Sequence, residues 1–284
     1  MSFSKSMTKL IAIIEITRPV NLILTFVSII IAAVICSART IAPDKILFAS
    51  ISGALAAAAG NIINDLFDIE IDRINRPGRP LASNNLSPHN AVILFIICSI
   101  LSLAFSCFIN RLAFIVDASA LILLFLYSFR LKRIIILGNF IVAFLTGLAF
   151  IYGGIAVNSI KYAYIPAVFA LLINLIREIV KDMEDIEGDK SQGIISFPYL
   201  YGFSSSKKVV MLFSLLLIMA TFIPFLFNYY KIEYFIIVMS VVNPILIYSL
   251  YSLFKNDTKK NLNKISFLLK LDMLFGLIAI YLGK

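Results

Sequence analysis

Long apolar stretches constrain this chain more than any other feature. A helix that crosses a bilayer needs about 20 consecutive, mostly apolar residues, and nine segments qualify, at about 18–38, 46–66, 88–109, 112–129, 134–157, 162–180, 207–228, 232–254 and 265–282. With 61% hydrophobic and only 14% charged residues, a water-soluble globule is excluded. In hydrocarbon a spanning segment must satisfy its own backbone hydrogen bonds, so the expected class is an all-α membrane protein of about nine transmembrane helices. The first span shows no cleavage pattern of a removable signal peptide. One domain is expected over residues 1–284, with caps at about 72–89 and 182–207, where polar sequence interrupts the spans.

The formal net charge of +9 does not indicate nucleic acid, because the positive charge alternates from loop to loop. Arg39, Lys45, Arg111, Lys161, Lys231 and Lys284 fall on one side of the expected membrane, and Lys270 falls inside the last span. All other Lys and Arg residues lie on the side that carries the N-terminus. By the positive-inside bias that side is cytoplasmic, which puts the C-terminus outside after nine spans. Cys36, Cys98 and Cys107 lie in apolar segments without metal-ligand spacing. His89, the only histidine, follows Ser87-Pro88 at a helix start and reads as a surface residue.

Against this background, most of the 16 acidic residues crowd into two stretches. The first is Asn64-Asp65-Leu66-Phe67-Asp68-Ile69-Glu70-Ile71-Asp72, and the second runs from Glu178 to Asp189. Four spans separate them, so both emerge on the same face. Asn64, Asp68 and Asp72 are four apart, which lines them along one stripe of a helix, and Asp182, Asp185 and Asp189 follow a three-and-four spacing. Glu184 and Glu187 point elsewhere in this reading, toward water. Carboxylates beside lipid are costly and usually functional. With no His or Cys among them, their oxygens favour magnesium over zinc, and magnesium is typically shared with substrate phosphates. Solvated helix ends would explain one such run but poorly explain two. Ion coupling in a transporter would place its site nearer mid-membrane. Asp117 and Asp272 lie within spans and have no evident role.

Bases accompany the acids. Arg73, Arg76 and Arg79 follow the first cluster, Arg177 and Lys181 precede or enter the second, and Lys132 and Arg133 follow the fourth span. Acids that hold metal beside bases that hold phosphate oxygens make a diphosphate cradle. Pro77 and Pro80 stiffen the loop that carries the arginines.

These residues resemble the UbiA superfamily of intramembrane prenyltransferases. Asn64-Asp65-x-x-Asp68-x-x-x-Asp72 is similar to its first aspartate-rich motif and Asp185-x-x-x-Asp189 to its second. Arg18-Pro19-x-Asn21 and Gly138-Asn139 also fit. Within the superfamily, the strings from Asn61 to Pro80, from Arg177 to Asp189, and Tyr152-Gly153-Gly154 look most like the archaeal digeranylgeranylglyceryl phosphate synthase branch, although Gly78 replaces the polar residue usual after Arg76-Pro77.

The resemblance implies a ring of helices around a central cavity, with the diphosphate at its cytoplasmic mouth. It implies magnesium held by Asn64, Asp68 and Asp72 and by Asp182, Asp185 and Asp189, with Asp68, Asp72, Asp185 and Lys181 in the catalytic step. Asn21, Asn61, Arg76, Arg79, Lys132, Arg133, Arg177 and Lys181 would bind substrate. The implied partners are an isoprenyl diphosphate donor, a lipid-phosphate acceptor and membrane lipids. The implied reaction moves a geranylgeranyl group from geranylgeranyl diphosphate to the glycerol hydroxyl of geranylgeranylglyceryl phosphate. An aromatic acceptor of the 4-hydroxybenzoate type and a cation-coupled transporter are the alternatives.

Overall fold

A computed structural model describes residues 2–37, 42–191 and 195–284. Position 38 at the end of the first expected span, Arg39, and residues 192–194 of the second cap lie outside the described residues. Helices α1 (Ser2–Thr17), α2 (Pro19–Cys36), α3 (Pro43–Phe67), α4 (Ile69–Asn75), α5 (Pro88–Cys107) and α6 (Arg111–Phe129) come first. They are followed by α7 (Leu137–Ala156), α8 (Tyr164–Ser191), α9 (Phe197–Leu226), α10 (Ile232–Ile237), α11 (Asn243–Lys255) and α12 (Lys259–Leu282). There is no strand among the described residues.

Eight helical segments are long and apolar enough to cross a membrane, with α10 and α11 counted as one segment, Ile232–Lys255. The remaining expected span is α8. It has 28 residues, but its second half carries the polar cluster, so its apolar part is short. The described part of the second cap is mostly helix: the end of α8 and the first turns of α9.

Helix starts follow the local chemistry. Pro19, Pro43 and Pro88 occupy first-turn positions, where the missing N–H costs nothing. The Ser87 hydroxyl accepts from the Asn90 amide, and Asn110 Oδ1 accepts from the Ala113 amide at 2.8 Å. Between α10 and α11 the backbone widens into a π stretch, Val238–Val242, just before Pro244. A proline cannot donate to the preceding turn, and the wider winding takes up that mismatch.

The helices close into a ring. α2 packs on α3 and α7, α7 on α8, α8 on α9 and α12, and α12 on α10, α11 and, more sparsely, α2. Small residues permit the close approaches: a methyl group at Gly153 of α7 would collide with the α2 backbone at Ile29. Buried Ile176, Val180, Leu253, Leu262, Ile265 and Leu269 knit α8, α11 and α12. Ile96, Ile100, Ile122, Leu212 and Met219 face outward, as side chains solvated by lipid do.

The ring encloses a cavity of about 630 Å³. Apolar side chains such as Leu24, Leu145, Phe169 and Ile173 make its walls, and Asn64, Arg76, Arg79 and Lys181 line the end nearest the acidic clusters.

Candidate active site

The first cluster does not form one continuous helical stripe. α3 ends at Phe67, Asp68 leaves helical geometry (φ −105°, ψ 11°), and α4 starts at Ile69, while the Asp68 amide still donates to the Asn64 carbonyl and the Asp72 amide to the Asp68 carbonyl. This break lets α4 lie against α8. Asn75 packs on Gly188, where a larger residue would collide with it, and Asn75 Nδ2 donates to the Asp185 backbone carbonyl at 3.2 Å. Arg76 Nη2 then reaches Asp185 Oδ2 at 2.9 Å. The two acid-bearing helix ends therefore meet, and they meet through a base.

Ion pairs organise the rest of this mouth. Arg79 Nη1 bridges Asp72 Oδ2 at 2.6 Å and Asp65 Oδ1 at 3.1 Å, and Asp65 also pairs with Arg18. Lys132, in the short turn after α6, pairs with Asp68. Asn139 Nδ2 donates to Asp182 Oδ2 at 2.8 Å. Buried Glu178 pairs with both Arg177 (3.2 Å) and Lys181 (2.9 Å).

Electrostatics show how crowded the acids are. Burial pushes the Asp189 carboxyl up to about 7, and the nearby Asp185 and Asp68 carboxylates push in the same direction. Burial raises Asp182 to about 8, with Asn139 opposing and Glu178 and Asp189 adding to the rise. Asp72 is raised by burial against the pull of Arg79. Carboxyls that resist ionisation because they are buried, and secondarily because other carboxylates lie near, suit a divalent cation, which would favour their charged form. Among the described residues, however, no three acids are gathered closely enough to hold a metal unaided. The donor set fits magnesium that takes further oxygens from a phosphate ligand.

Of the residues expected to bind substrate, Asn21, Asn61, Arg76, Arg79, Arg177 and Lys181 line the cavity together with Asn64. Asn61 also has a structural task, since its Nδ2 donates to the Thr17 carbonyl at 2.8 Å. Lys132 lies just beyond the cavity and reaches the site through Asp68. Arg133 is exposed, and the cavity is lined without it. The expectation that Glu184 meets water is wrong: it is buried and accepts from Asn263 Nδ2 at 3.0 Å. Glu187 is exposed, as expected.

Sequence reasoning gave no site role to five residues that line the cavity. Arg18 sits in the left-handed region (φ 57°), between α1 and α2, and lines the cavity. Its place in Arg18-Pro19-x-Asn21 was the available signal. Glu178 and Tyr127 line the same end. Lys270 and Asp272, inside α12, line it from the other wall. Both Asp272 carboxyl oxygens are buried without a hydrogen-bond partner.

Toward the opposite end of the ring, Asp117 gains an account. The Ser102 hydroxyl lies 2.8 and 2.9 Å from its two carboxyl oxygens, and Tyr152 and Ser52 share a 2.9 Å hydrogen bond. Ser52 and Ser102 are themselves in contact, so a polar chain ties α3, α5, α6 and α7.

Comparison with known proteins agrees with this architecture. Residues 25–271 match the model of the UbiA prenyltransferase family. A digeranylgeranylglyceryl phosphate synthase of Methanosphaera stadtmanae is 35% identical over 272 residues, covering 95% of this chain and 98% of that protein. A solved digeranylgeranylglyceryl phosphate synthase superposes with a TM-score of 0.76 at 36% identity, covering 97% of this chain and 98% of the other. A UbiA homologue from Archaeoglobus fulgidus, solved with GPP and Mg2+, has the same fold, with a TM-score of 0.67 at 20% identity over 95% of this chain and 99% of the other. The ring of membrane-length helices thus has known counterparts, and the chain belongs to the UbiA family of membrane-embedded prenyltransferases.

Proposed function

We propose that this enzyme transfers a geranylgeranyl group from geranylgeranyl diphosphate to the free glycerol hydroxyl of geranylgeranylglyceryl phosphate, with magnesium as its cofactor. The observation that carries the reading is the meeting of the two acidic segments, through Arg76 and Asp185, at the polar end of an apolar cavity. Its relatives' names and the GPP and Mg2+ in the Archaeoglobus structure point the same way. A transporter is set aside by membership of a prenyltransferase family. An aromatic acceptor is less favoured, because the single carboxylate of a 4-hydroxybenzoate needs fewer cationic side chains than the cavity carries.

In this reading Asn64, Asp68 and Asp72 hold magnesium from one side and Asp182, Asp185 and Asp189 from the other. Bound magnesium neutralises the diphosphate and makes it a better leaving group. Arg76, Arg79 and Lys132 share that developing negative charge, and ion pairs with the acids hold them in place, while Lys181, expected in the same role, is paired with Glu178 and binds substrate. The apolar walls take the isoprenoid tail and keep out water, which would otherwise capture the allylic cation as the alcohol. The carbon–oxygen bond to the diphosphate breaks, and the glycerol oxygen bonds to the freed carbon. Its proton passes to the diphosphate or to a carboxylate at the mouth. Asn21, Asn61 and Arg177 orient the substrates. Arg133, exposed and outside the cavity lining, is given no part in this step.

The whole chain acts as one catalytic domain in this account, with its N-terminus and mouth in the cytoplasm, its C-terminus outside, and caps at 72–89 and 182–207. The test is incubation of purified protein in lipid with labelled geranylgeranyl diphosphate, magnesium and either acceptor. Label in the lipid phosphate supports the reading, and label only in 4-hydroxybenzoate overturns it.

A further inference from the structure

A lysine inside a spanning helix is expensive and is normally matched by a carboxylate. Lys270 is not. Among the described residues it forms no ion pair, and its ammonium donates instead to Asn21 Oδ1 across the seam between α12 and α2. Arg177, Arg18 and Lys181 are all near enough to repel it, and all four cations line the cavity.

The carboxylates on this side do not balance them. Glu178 alone serves both Arg177 and Lys181, and Asp65 serves Arg18 while also taking a bond from Arg79. Arg177 also keeps a buried Nε–H with no hydrogen-bond partner. The α4–α8 side has the opposite bias. There Asp68, Asp72, Asp182, Asp185 and Asp189 face Lys132, Arg76 and Arg79, an excess of acid that calls for metal. The polar end of the cavity thus has an acid-rich pole and a base-rich pole.

We propose that Lys270, Arg177, Lys181 and Arg18 form the binding site for the phosphate monoester of the lipid acceptor, separate from the metal-dependent diphosphate site. Even with the unpartnered Asp272 counted beside Glu178 and Asp65, the four cations outnumber the three carboxylates, and a phosphate monoester, which carries about −1.5 to −2 charges near pH 7, answers that excess. It needs no metal there, because ammonium and guanidinium donors face it directly. Its oxygens replace Asn21 as the partner of Lys270 and fill the open Nε–H of Arg177. The donor diphosphate, by contrast, is drawn with its magnesium to the acids. Separate sites hold two anions in one cavity without mutual displacement.

The inference rests on the lipid-phosphate reading above, and its test separates the two. Initial rates are measured for wild type, Lys270→Gln, Lys270→Arg and Arg177→Gln with geranylgeranylglyceryl phosphate and with its phosphate-free analogue, geranylgeranylglycerol. Loss of one charged hydrogen-bond donor should raise KM for the phosphate acceptor about 10- to 100-fold in Lys270→Gln. KM for geranylgeranyl diphosphate should stay within about twofold, a change too small to mark a lost charged contact. Lys270→Arg should recover most of the loss, and preference for the phosphate acceptor over its analogue should collapse in Lys270→Gln. Arg177→Gln should show the same acceptor-specific rise, which provides a second reading if Lys270→Gln does not fold. A rise in donor KM instead, or unchanged acceptor KM in both variants, overturns the site. A wild-type chain that transfers nothing to the lipid phosphate overturns the underlying reading instead, which is a different failure.

Discussion

Arg76 and Asp185, 109 residues apart in sequence, are joined by a 2.9 Å ion pair that closes the two acidic segments on each other. Both side chains are more than two-thirds buried, so solvent screens the pair only in part. Asp185 is therefore shared between a structural partner and the proposed metal. A double-mutant cycle of Arg76→Ala and Asp185→Ala, read by thermal unfolding without magnesium, should give a coupling of about 0.5–1 kcal/mol. Additive effects would mean that the pair does not hold the two segments together.

Gly188→Ala should loosen the contact between α4 and α8. The added methyl group has no room beside the Asn75 amide, and relief turns that side chain away, which breaks its hydrogen bond to the Asp185 carbonyl and loosens the seam that holds Arg76 near Asp185. Overpacking of this kind costs about 1–3 kcal/mol. The expected result is a folded protein with a lower melting temperature and at least about tenfold lower turnover, since small misplacements at a reacting site cost that much. Undiminished turnover would show that the position of α4 is not critical.

The Ser102–Asp117 contact makes a stability prediction remote from the mouth. Ser102→Ala removes the donor facing both Asp117 oxygens and should cost about 1–3 kcal/mol, the usual price of an unsatisfied buried polar group. Replacing both, as Ser102→Ala with Asp117→Leu, should recover much of that loss. Thermal unfolding in one detergent compares all three proteins.

Asp272 should behave in the opposite way. Its two oxygens have no partner to lose, so Asp272→Leu should stabilise the fold by about 1 kcal/mol. A lower melting temperature would show that the carboxyl is satisfied in the folded protein.

The fold was largely legible in the sequence because lipid imposes a simple rule. Long apolar runs had to be helices, and eight of the nine expected spans recur as apolar helices, while the ninth falls on α8, whose apolar part is too short to count as one. The site was legible as residue types and as two acidic segments on one face. Its geometry was not. Helical spacing alone predicted that Asn64, Asp68 and Asp72 share a stripe, yet contacts with α8, 110 residues away for Asn75 and Asp185, accompany a break at Asp68. Glu184 was assigned to water because its own helix gave no reason to bury it; the reason is Asn263 on α12. Asp117 and Lys270 had no sequence account because Ser102 and Asn21 come from other helices. In each case the missing information was a partner distant in the chain.

The central claim is that both acidic segments grip one metal-bound diphosphate. Paramagnetic Mn2+ in place of Mg2+ tests it directly, with bound ion counted by electron paramagnetic resonance with and without geranylgeranyl diphosphate. Wild type should retain Mn2+ tightly only when the diphosphate is present, and Asp68→Ala and Asp185→Ala should each lose it while remaining folded. Mn2+ retained equally by both variants, or bound without regard to the diphosphate, would contradict the account.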